Sequence, residues 1–146
     1  MKIDDVELTL FNWDNIPPTR YHAGSRNMGG QSNLGLLTIK TDAGLTGHAF
    51  LGAATNPAET DAGALIRFLK PLLMGKDPLA RVELHAALRA RQRTSGLRTV
   101  GACDTALWDI AAKAAGLPLY KLLGASRSSI GAYASSQILD GRQAYA

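Results

Sequence analysis

The stretch Gly101–Gly124, GACDTALWDIAAKAAGLPLYKLLG, constrains the fold more than any other part of the chain. With a turn of roughly 100° per residue about Leu107, the residues Val100, Cys103, Ile110, Ala111 and Ala114 share one face. Thr105, Asp109 and Lys113 fall opposite. This predicts a long packed helix whose alanines let another element approach closely. Asp109 precedes Lys113 by one turn, the favoured order for a surface ion pair. Gly116 and Pro118 stop the helix, and Leu119–Leu123 can form one further turn. Nothing in this stretch names a catalyst.

The N-terminal third reads as strands. From Ile3 to Trp13 the chain alternates, with Val6, Leu8 and Leu10 on one side and Glu7, Thr9 and Phe11 on the other. A second strand is expected from Leu34 to Thr41, with Leu37 and Ile39 facing one way. Asp42-Ala43-Gly44 then predicts a tight reversal, Gly44 being suited to positive φ, into a third strand over Leu45–Leu51. Together these make a three-stranded antiparallel meander.

Between the first two strands, Asp14–Asn33 has Pro17-Pro18, several glycines and a mixed polar set, with no helix or strand period. A structureless loop longer than ~12–15 residues in a compact domain is usually either functional or without fixed structure. A flap closing over a ligand and an irregular excursion both remain open from the residues alone.

Helices follow. Asn56 is placed to cap one, with Pro57 first and Glu59 in its opening turn. Its apolar side is Leu65, Phe68, Leu69, Leu72 and Leu73. Gly75-Lys76-Asp77-Pro78 ends it and starts another with Asp77 as cap, carrying Val82, Leu84, Ala87 and Leu88 inward. Ser95 and Gly96 break that helix. After Gly124, Ser129–Ser136 reads as a short strand, and Asp140 can cap a helix running to Ala146. A lone strand and one helical turn are unstable as an ending. The expected organisation is therefore an α+β domain over residues 1–125 and the interrupted opening of a second domain over residues 126–146.

Composition bounds the chemistry. The chain has 146 residues and a net charge of +4. Its basic residues gather only at Arg89, Arg91, Arg93 and Arg98, without interleaved aromatics, so a nucleic-acid partner is not expected and a solvated helix end is. The lone Cys103 rules out an internal disulfide and a cysteine-based metal site, and suits a cytoplasmic protein. On an apolar helix face it reads as inert. MKIDDVELTLF has acidic residues where a signal peptide needs an apolar run. No stretch approaches ~20 apolar residues, so no membrane span is expected. No pair among His22, His48 and His85 has metal-ligand spacing. His48 and His85 read as structural, whereas His22, in the long loop, can reach a ligand. The carboxylates are scattered, and Asp104 with Trp108 reads as a polar anchor for a neighbouring loop. No catalytic residue and no metal ligand is identified.

Three segments, taken in order, resemble one family. The hairpin LLTIKTDAGLTGHAFLG, the helix ALWDIAAKAAGLPLYKLLG and the segment IGAYASS are similar to the N-terminal part of the enolase superfamily, in its mandelate racemase/muconate lactonizing enzyme branch. One departure is Ala112, where many members have glycine, which touches local packing only. The resemblance implies an enolase N-terminal-like cap, a meander followed by a helical bundle, leading into the first strand and helix start of a truncated TIM barrel. It also implies chemistry for the full-length enzyme. A barrel carrying Mg²⁺ on three carboxylates removes the proton α to a carboxylate, and the metal stabilises the enediolate. The family's Lys-x-Lys base and its metal ligands lie beyond IGAYASS, and a complete barrel needs ~250 residues. The chain alone is therefore expected to be inactive.

What the resemblance leaves to this chain is the lid. Asp14–Asn33 matches the specificity flap and Gly52–Asn56 the second capping segment. Arg20, Tyr21, His22, Arg26 and Asn27 offer cationic and hydrogen-bonding groups to a substrate. Ser135 and Ser136, at the end of the first barrel strand, would face the pocket mouth. This polar set suits an acid sugar, so an acid-sugar dehydratase is expected, homo-oligomeric if full length. A racemase or cycloisomerase of the same frame, or a stand-alone binding module of cap fold, are the alternatives.

Overall fold

The computed structural model describes residues 1–20, 28–53, 55–132 and 138–139. Its sheet has the order β3-β2-β1-β4, built from β1 (Ile3–Arg20), β2 (Met28–Thr41), β3 (Thr46–Leu51) and β4 (Ile138–Leu139), with every pairing antiparallel. β1, β2 and β3 are the expected meander. In the β2–β3 turn Gly44 has φ +77°, and its N–H donates to the Thr41 carbonyl at 2.9 Å.

The expected loop from Asp14 to Asn33 is corrected: β1 continues to Arg20 and β2 begins at Met28, so most of it is strand. Its alternation is hidden by two irregularities. From Trp13↔Ser32 to Ile16↔Gly30, and again to Thr19↔Met28, β1 advances three residues against two on β2. These are β-bulges, one marked by Asn15 at φ +59° and the other spanning Pro17-Pro18. A bulge leaves a residue unpaired, so it admits a left-handed asparagine and prolines that have no N–H to give. β3 pairs with β2 only as far as Gly35↔Leu51, so from that row to the β4 pairs at Thr19 and Arg20 β1 and β2 run on as a two-stranded ribbon. Leu10 sits opposite Gly35 at this margin, which is why it is 39% exposed although Val6, on the same side, is buried.

The helices are α1 (Glu59–Ala64), a π-helical segment (Leu65–Leu69), α2 (Lys70–Leu73), α3 (Arg81–Ala90), α4 (Gln92–Ser95), α5 (Leu97–Ala114) and α6 (Leu119–Leu122). Pro71 has no N–H to return to the Arg67 carbonyl, and the wider turn accommodates this: Lys70 N–H donates to Leu65 O instead. Leu65, Leu69 and Leu73 stay in line along the buried side. Each adds ~1.5–3 kcal/mol by leaving water.

Two helix starts differ from expectation. Asn56 caps nothing, because the acceptor for the Glu59 N–H is Asn33 Oδ1 from β2, at 2.9 Å. Asp77 instead accepts the Leu79 N–H in a local turn, and α3 begins only at Arg81. That delay turns Val82 outward, where it is 88% exposed, while Leu84 and Leu88 are buried as expected.

α5 lies against β3. Val100, Cys103, Leu107 and Ile110 are buried as expected, together with Thr99, Ala102, Ala106 and Ala112. The helix approaches closest between Ala106 and Ile110, which shifts the buried stripe towards Ala106 and leaves Ala111 half-buried and Ala114 exposed, against expectation. The expected Asp109–Lys113 pair forms at 2.7 Å and does a second job. Asp109 Oδ2 accepts the His48 N–H at 2.9 Å and Lys113 Nζ donates to Thr46 O at 2.7 Å, so the pair covers the free edge of β3. Gly116 at φ +63° closes the helix, with Leu117 N–H donating to Ala112 O.

The strand expected over Ser129–Ser136 is absent from residues 129–132, where Ile130 is exposed and pairs with no strand among the described residues. Residues 133–137 and the helix expected after Asp140 lie outside the described residues. The strand that does form, β4, sets Leu139 beside Thr19 and Ile138 beside Arg20.

The Asp5 carboxylate ties sheet to helix, accepting from Lys70 Nζ at 2.7 Å. That hydrogen bond, then the Val6 N–H, holds its pKa below the usual carboxylate value. A depressed pKa contributes stability above the unfolded value of ~3.9 and loses it as pH falls through the folded one. The expected result is that Asp5→Asn lowers Tm at pH 6 and by progressively less as pH falls below ~3.9, so that the two thermal melting profiles draw together on acidification. Parallel profiles would remove Asp5 from the acid response.

Candidate functional site

Two segments carry the candidate site: the end of the β1–β2 ribbon and the turn after β3. Arg20 closes β1, where its backbone pairs with Ile138. Tyr21, His22, Arg26, Asn27 and Ser135 lie outside the described residues. Of the expected substrate-binding residues the structure therefore places the backbone of Arg20 alone, beside that of Ile138.

The turn is shaped by its backbone. Gly52 has φ +91°, and a Cβ there would stand 2.6 Å from the Asn33 carbonyl oxygen. Ala53 and Asn56 exchange two main-chain hydrogen bonds, at 2.9 and 3.1 Å. Three polar side chains hold this turn: Ser32 and Asn33, to which the sequence assigned no role, and Arg98, expected in a solvated helix end and found bonded instead. Ser32 Oγ donates to Ala53 O at 2.7 Å. Asn33 Oδ1 accepts from Glu59 N–H, and its Nδ2 donates to Glu59 Oε2 at 3.0 Å. Arg98, at the start of α5, donates to Asp61 Oδ2 at 2.7 Å and to Asn56 O at 3.4 Å. The available signal was the polar pair Ser32-Asn33 at the head of an apolar strand; its partners, more than twenty residues away, had none.

A second polar cluster lies between α3 and α5. Arg81 Nη2 donates to Asp104 Oδ1 at 2.9 Å, His85 Nδ1 is 3.3 Å from the same oxygen, and the guanidinium lies 3.3 Å over the Trp108 ring. Asp104 and Trp108 thus anchor a helix, not the loop expected. Stacking and ion pairing together fix α3 on α5. Thr38 and Thr46 flank the ring nitrogens of His48 at 3.3 and 3.2 Å, which supports its structural reading. Burial, then the nearby Asp104 charge, pushes the Cys103 thiol up to about 12, as an inert thiol requires.

The carboxylates do not fit a magnesium centre. Asp5 is spent on Lys70, Glu59 on Asn33, Asp61 on Arg98, Asp104 on Arg81 and Asp109 on Lys113. Among the described residues no three acidic, histidine or cysteine side chains converge, whereas Mg²⁺ demands several oxygens in octahedral array. Among the described residues no helix is long and apolar enough to cross a membrane.

Residues 7–124 match the family described as Mandelate racemase / muconate lactonizing enzyme, N-terminal domain. A D-galactonate dehydratase family member of Marinomonas sp. (strain MWYL1) is 40% identical over 116 residues, covering 74% of this chain and 28% of that protein. The D-mannonate dehydratase of Rhizorhabdus wittichii is 43% identical over 109 residues, covering 69% of this chain and 26% of that protein. The chain thus spans little more than a quarter of the length of these relatives. Among solved structures, a member of the enolase superfamily from Polaromonas sp. JS666 superposes with a TM-score of 0.78 at 27% identity, covering 98% of this chain and 38% of the other. D-glucarate dehydratase from Agrobacterium tumefaciens, complexed with magnesium, superposes with a TM-score of 0.73 at 31% identity, covering 94% of this chain and 36% of the other.

Proposed function

Because the chain belongs to the mandelate racemase/muconate lactonizing enzyme family of the enolase superfamily, we propose that it is the substrate-capping portion of a Mg²⁺-dependent acid-sugar dehydratase. One observation carries this reading: relatives 40% and 43% identical bear the names of a D-galactonate dehydratase family member and a D-mannonate dehydratase. Residues 1–125 are the cap and residues 126–146 the start of the barrel. Leu117, Tyr120, Leu123 and Ile130, all exposed where the chain leaves the cap, are apolar surface for that barrel to cover. Cytoplasmic residence and homo-oligomeric assembly belong to the same proposal.

The chain's own part in the reaction is binding and exclusion of water. Arg20 and Arg26 are cations for a substrate carboxylate, while Tyr21, His22, Asn27 and Ser135 reach hydroxyls. Closing the ribbon and the Gly52–Asn56 turn over the sugar replaces water by fixed donors, which strengthens every charged contact inside. In this reading the base and the metal ligands belong to the barrel, and the cap's Asp5, Glu59, Asp61, Asp104 and Asp109 stay engaged with Lys70, Asn33, Arg98, Arg81 and Lys113.

The flap is tested by Arg20→Ala and His22→Ala in an enzyme where this cap is joined to a catalytic barrel. Each removes a hydrogen bond to a charged or hydroxylated substrate, worth ~1.5–3 kcal/mol when charge-assisted. The expected result is a roughly 10- to 100-fold fall in kcat/KM on the acid sugar, with Tm unchanged. Wild-type kinetics in both variants would show that the ribbon does not touch the substrate.

A further inference from the structure

The root of the ribbon is bolted to the turn. Ser32 and Asn33 pair with Trp13 and Asn12, just beyond the last row that includes β3. This is where the β1–β2 ribbon leaves the support of β3. Both side chains are nevertheless buried, at 8% and 6% exposure. Polar groups on a ribbon root gain nothing from burial unless they are bonded, and here the bonds all run to one place. Ser32 holds Ala53. Asn33 holds the Ala58 N–H with its carbonyl, at 3.1 Å, and the Glu59 N–H and carboxylate with its side chain. From the other side Arg98 grips Asn56, Thr60 and Asp61. The turn is therefore bracketed between β2 and α5.

We propose that Ser32, Asn33 and Arg98 are positioning residues that clasp the ribbon root to the Gly52–Asn56 turn, so that the two capping segments present their groups to the acid sugar as one unit. The role in substrate presentation rests on the dehydratase reading; the clasp itself does not. Asn33 matters most, because one side chain both caps α1 and reaches Glu59. Free of the clasp, the ribbon and the turn would each order separately on binding, and substrate affinity would fall while the chemical step was spared.

Amide hydrogen exchange on the 146-residue chain tests the clasp without substrate. In Asn33→Ala the Glu59 amide loses its Oδ1 acceptor, while the Ala58 amide keeps the residue-33 carbonyl and loses only the side-chain bonds that hold that carbonyl in place. The expected exchange is about tenfold faster there, the change given by loss of one net hydrogen bond. The same acceleration is expected at Ala53 and Asn56, which the Asn33 side chain does not touch, while Leu37 and Ile39 keep their protection. Asn33→Asp keeps an oxygen for the Glu59 N–H but sets a carboxylate against Glu59 Oε2 where the amide donated, so it is expected to speed exchange at Ala53 and Asn56 as Asn33→Ala does. Arg98→Ala is expected to speed exchange across 30–34. Acceleration confined to Ala58 and Glu59, with Ala53 and Asn56 unmoved, overturns the clasp. With the cap joined to a barrel, Asn33→Ala is expected to raise KM for the acid sugar several-fold more than it lowers kcat. Unchanged kinetics beside accelerated exchange would leave the clasp in place and overturn its positioning role. Failure of the dehydratase reading would leave the exchange pattern intact.

Discussion

Gly47→Ala is expected to lower the melting temperature of the domain by roughly 10 °C. Gly47 lies in β3 opposite Ile39, under the closest approach of α5. A Cβ there would land on the Ala106 carbonyl oxygen and stand 2.7 Å from Ile110 Cγ1. Ile110 can rotate away, but the Ala106 carbonyl is helix backbone. Relief therefore requires lifting α5 off the sheet, and α5 carries Val100, Cys103, Leu107 and Ile110 into the core. Overpacking of this kind costs ~1–3 kcal/mol, and rigid backbone on both sides puts Gly47 at the upper end. For a chain of this size each kcal/mol moves Tm by ~2–4 °C. Gly101→Ala is the internal control. Gly101 lies in the same helix with nothing within 4 Å of its would-be Cβ, so alanine there is expected to stabilise by ~0.5–1 kcal/mol. A Gly47→Ala protein melting within a degree or two of wild type would refute this packing of α5 on β3.

The second large effect is on turnover. The 146-residue chain, folded and supplied with Mg²⁺, is expected to dehydrate no acid sugar at a detectable rate. Removing a proton α to a carboxylate needs a positioned base and a centre of positive charge for the anion that develops. Each 1.36 kcal/mol withheld from that barrier costs a factor of ten. The carboxylates described here hold the cap together instead: Asp5 joins sheet to helix, Asp61 and Glu59 fix the turn, Asp104 fixes α3, and Asp109 covers the edge of β3. Using any of them as a metal ligand would release a lysine, arginine, asparagine or backbone partner. Product formation by the purified chain, abolished by a chelator, would contradict this assignment of roles.

The meander and the packed helix were legible because their signals are local. Alternation over Ile3–Trp13, a glycine suited to positive φ at Gly44, and a buried stripe through Leu107 all lie within a few residues of what they determine. The ribbon was not legible. Two bulges shift the phase of β1 at Asn15 and at Pro17-Pro18, so a strand continues where alternation stops. The start of α1 was misplaced for a related reason. Its cap comes from Asn33, twenty-six residues away, and no local pattern announces a cap supplied by another element. Val82 was taken as apolar and therefore inward, whereas the start of α3 at Arg81 sets its direction. The candidate site followed the resemblance together with the polar composition of the flap. The polar run in the flap suggested contact with a ligand, but the residues that hold the flap root, Ser32, Asn33 and Arg98, are recognised only by their partners in space.

Grafting tests the central claim most directly. Residues 1–125 would replace the corresponding cap of the Rhizorhabdus wittichii D-mannonate dehydratase, with folding checked by circular dichroism, and turnover would be measured on D-mannonate, D-galactonate and D-glucarate. The expected result is Mg²⁺-dependent dehydration of at least one of these, with kcat/KM about 100-fold above the same barrel lacking any cap, the gain that excluding water and orienting one charged substrate group supply. A folded chimera no more active than the capless barrel on all three sugars would contradict the claim that this chain is the cap of an acid-sugar dehydratase.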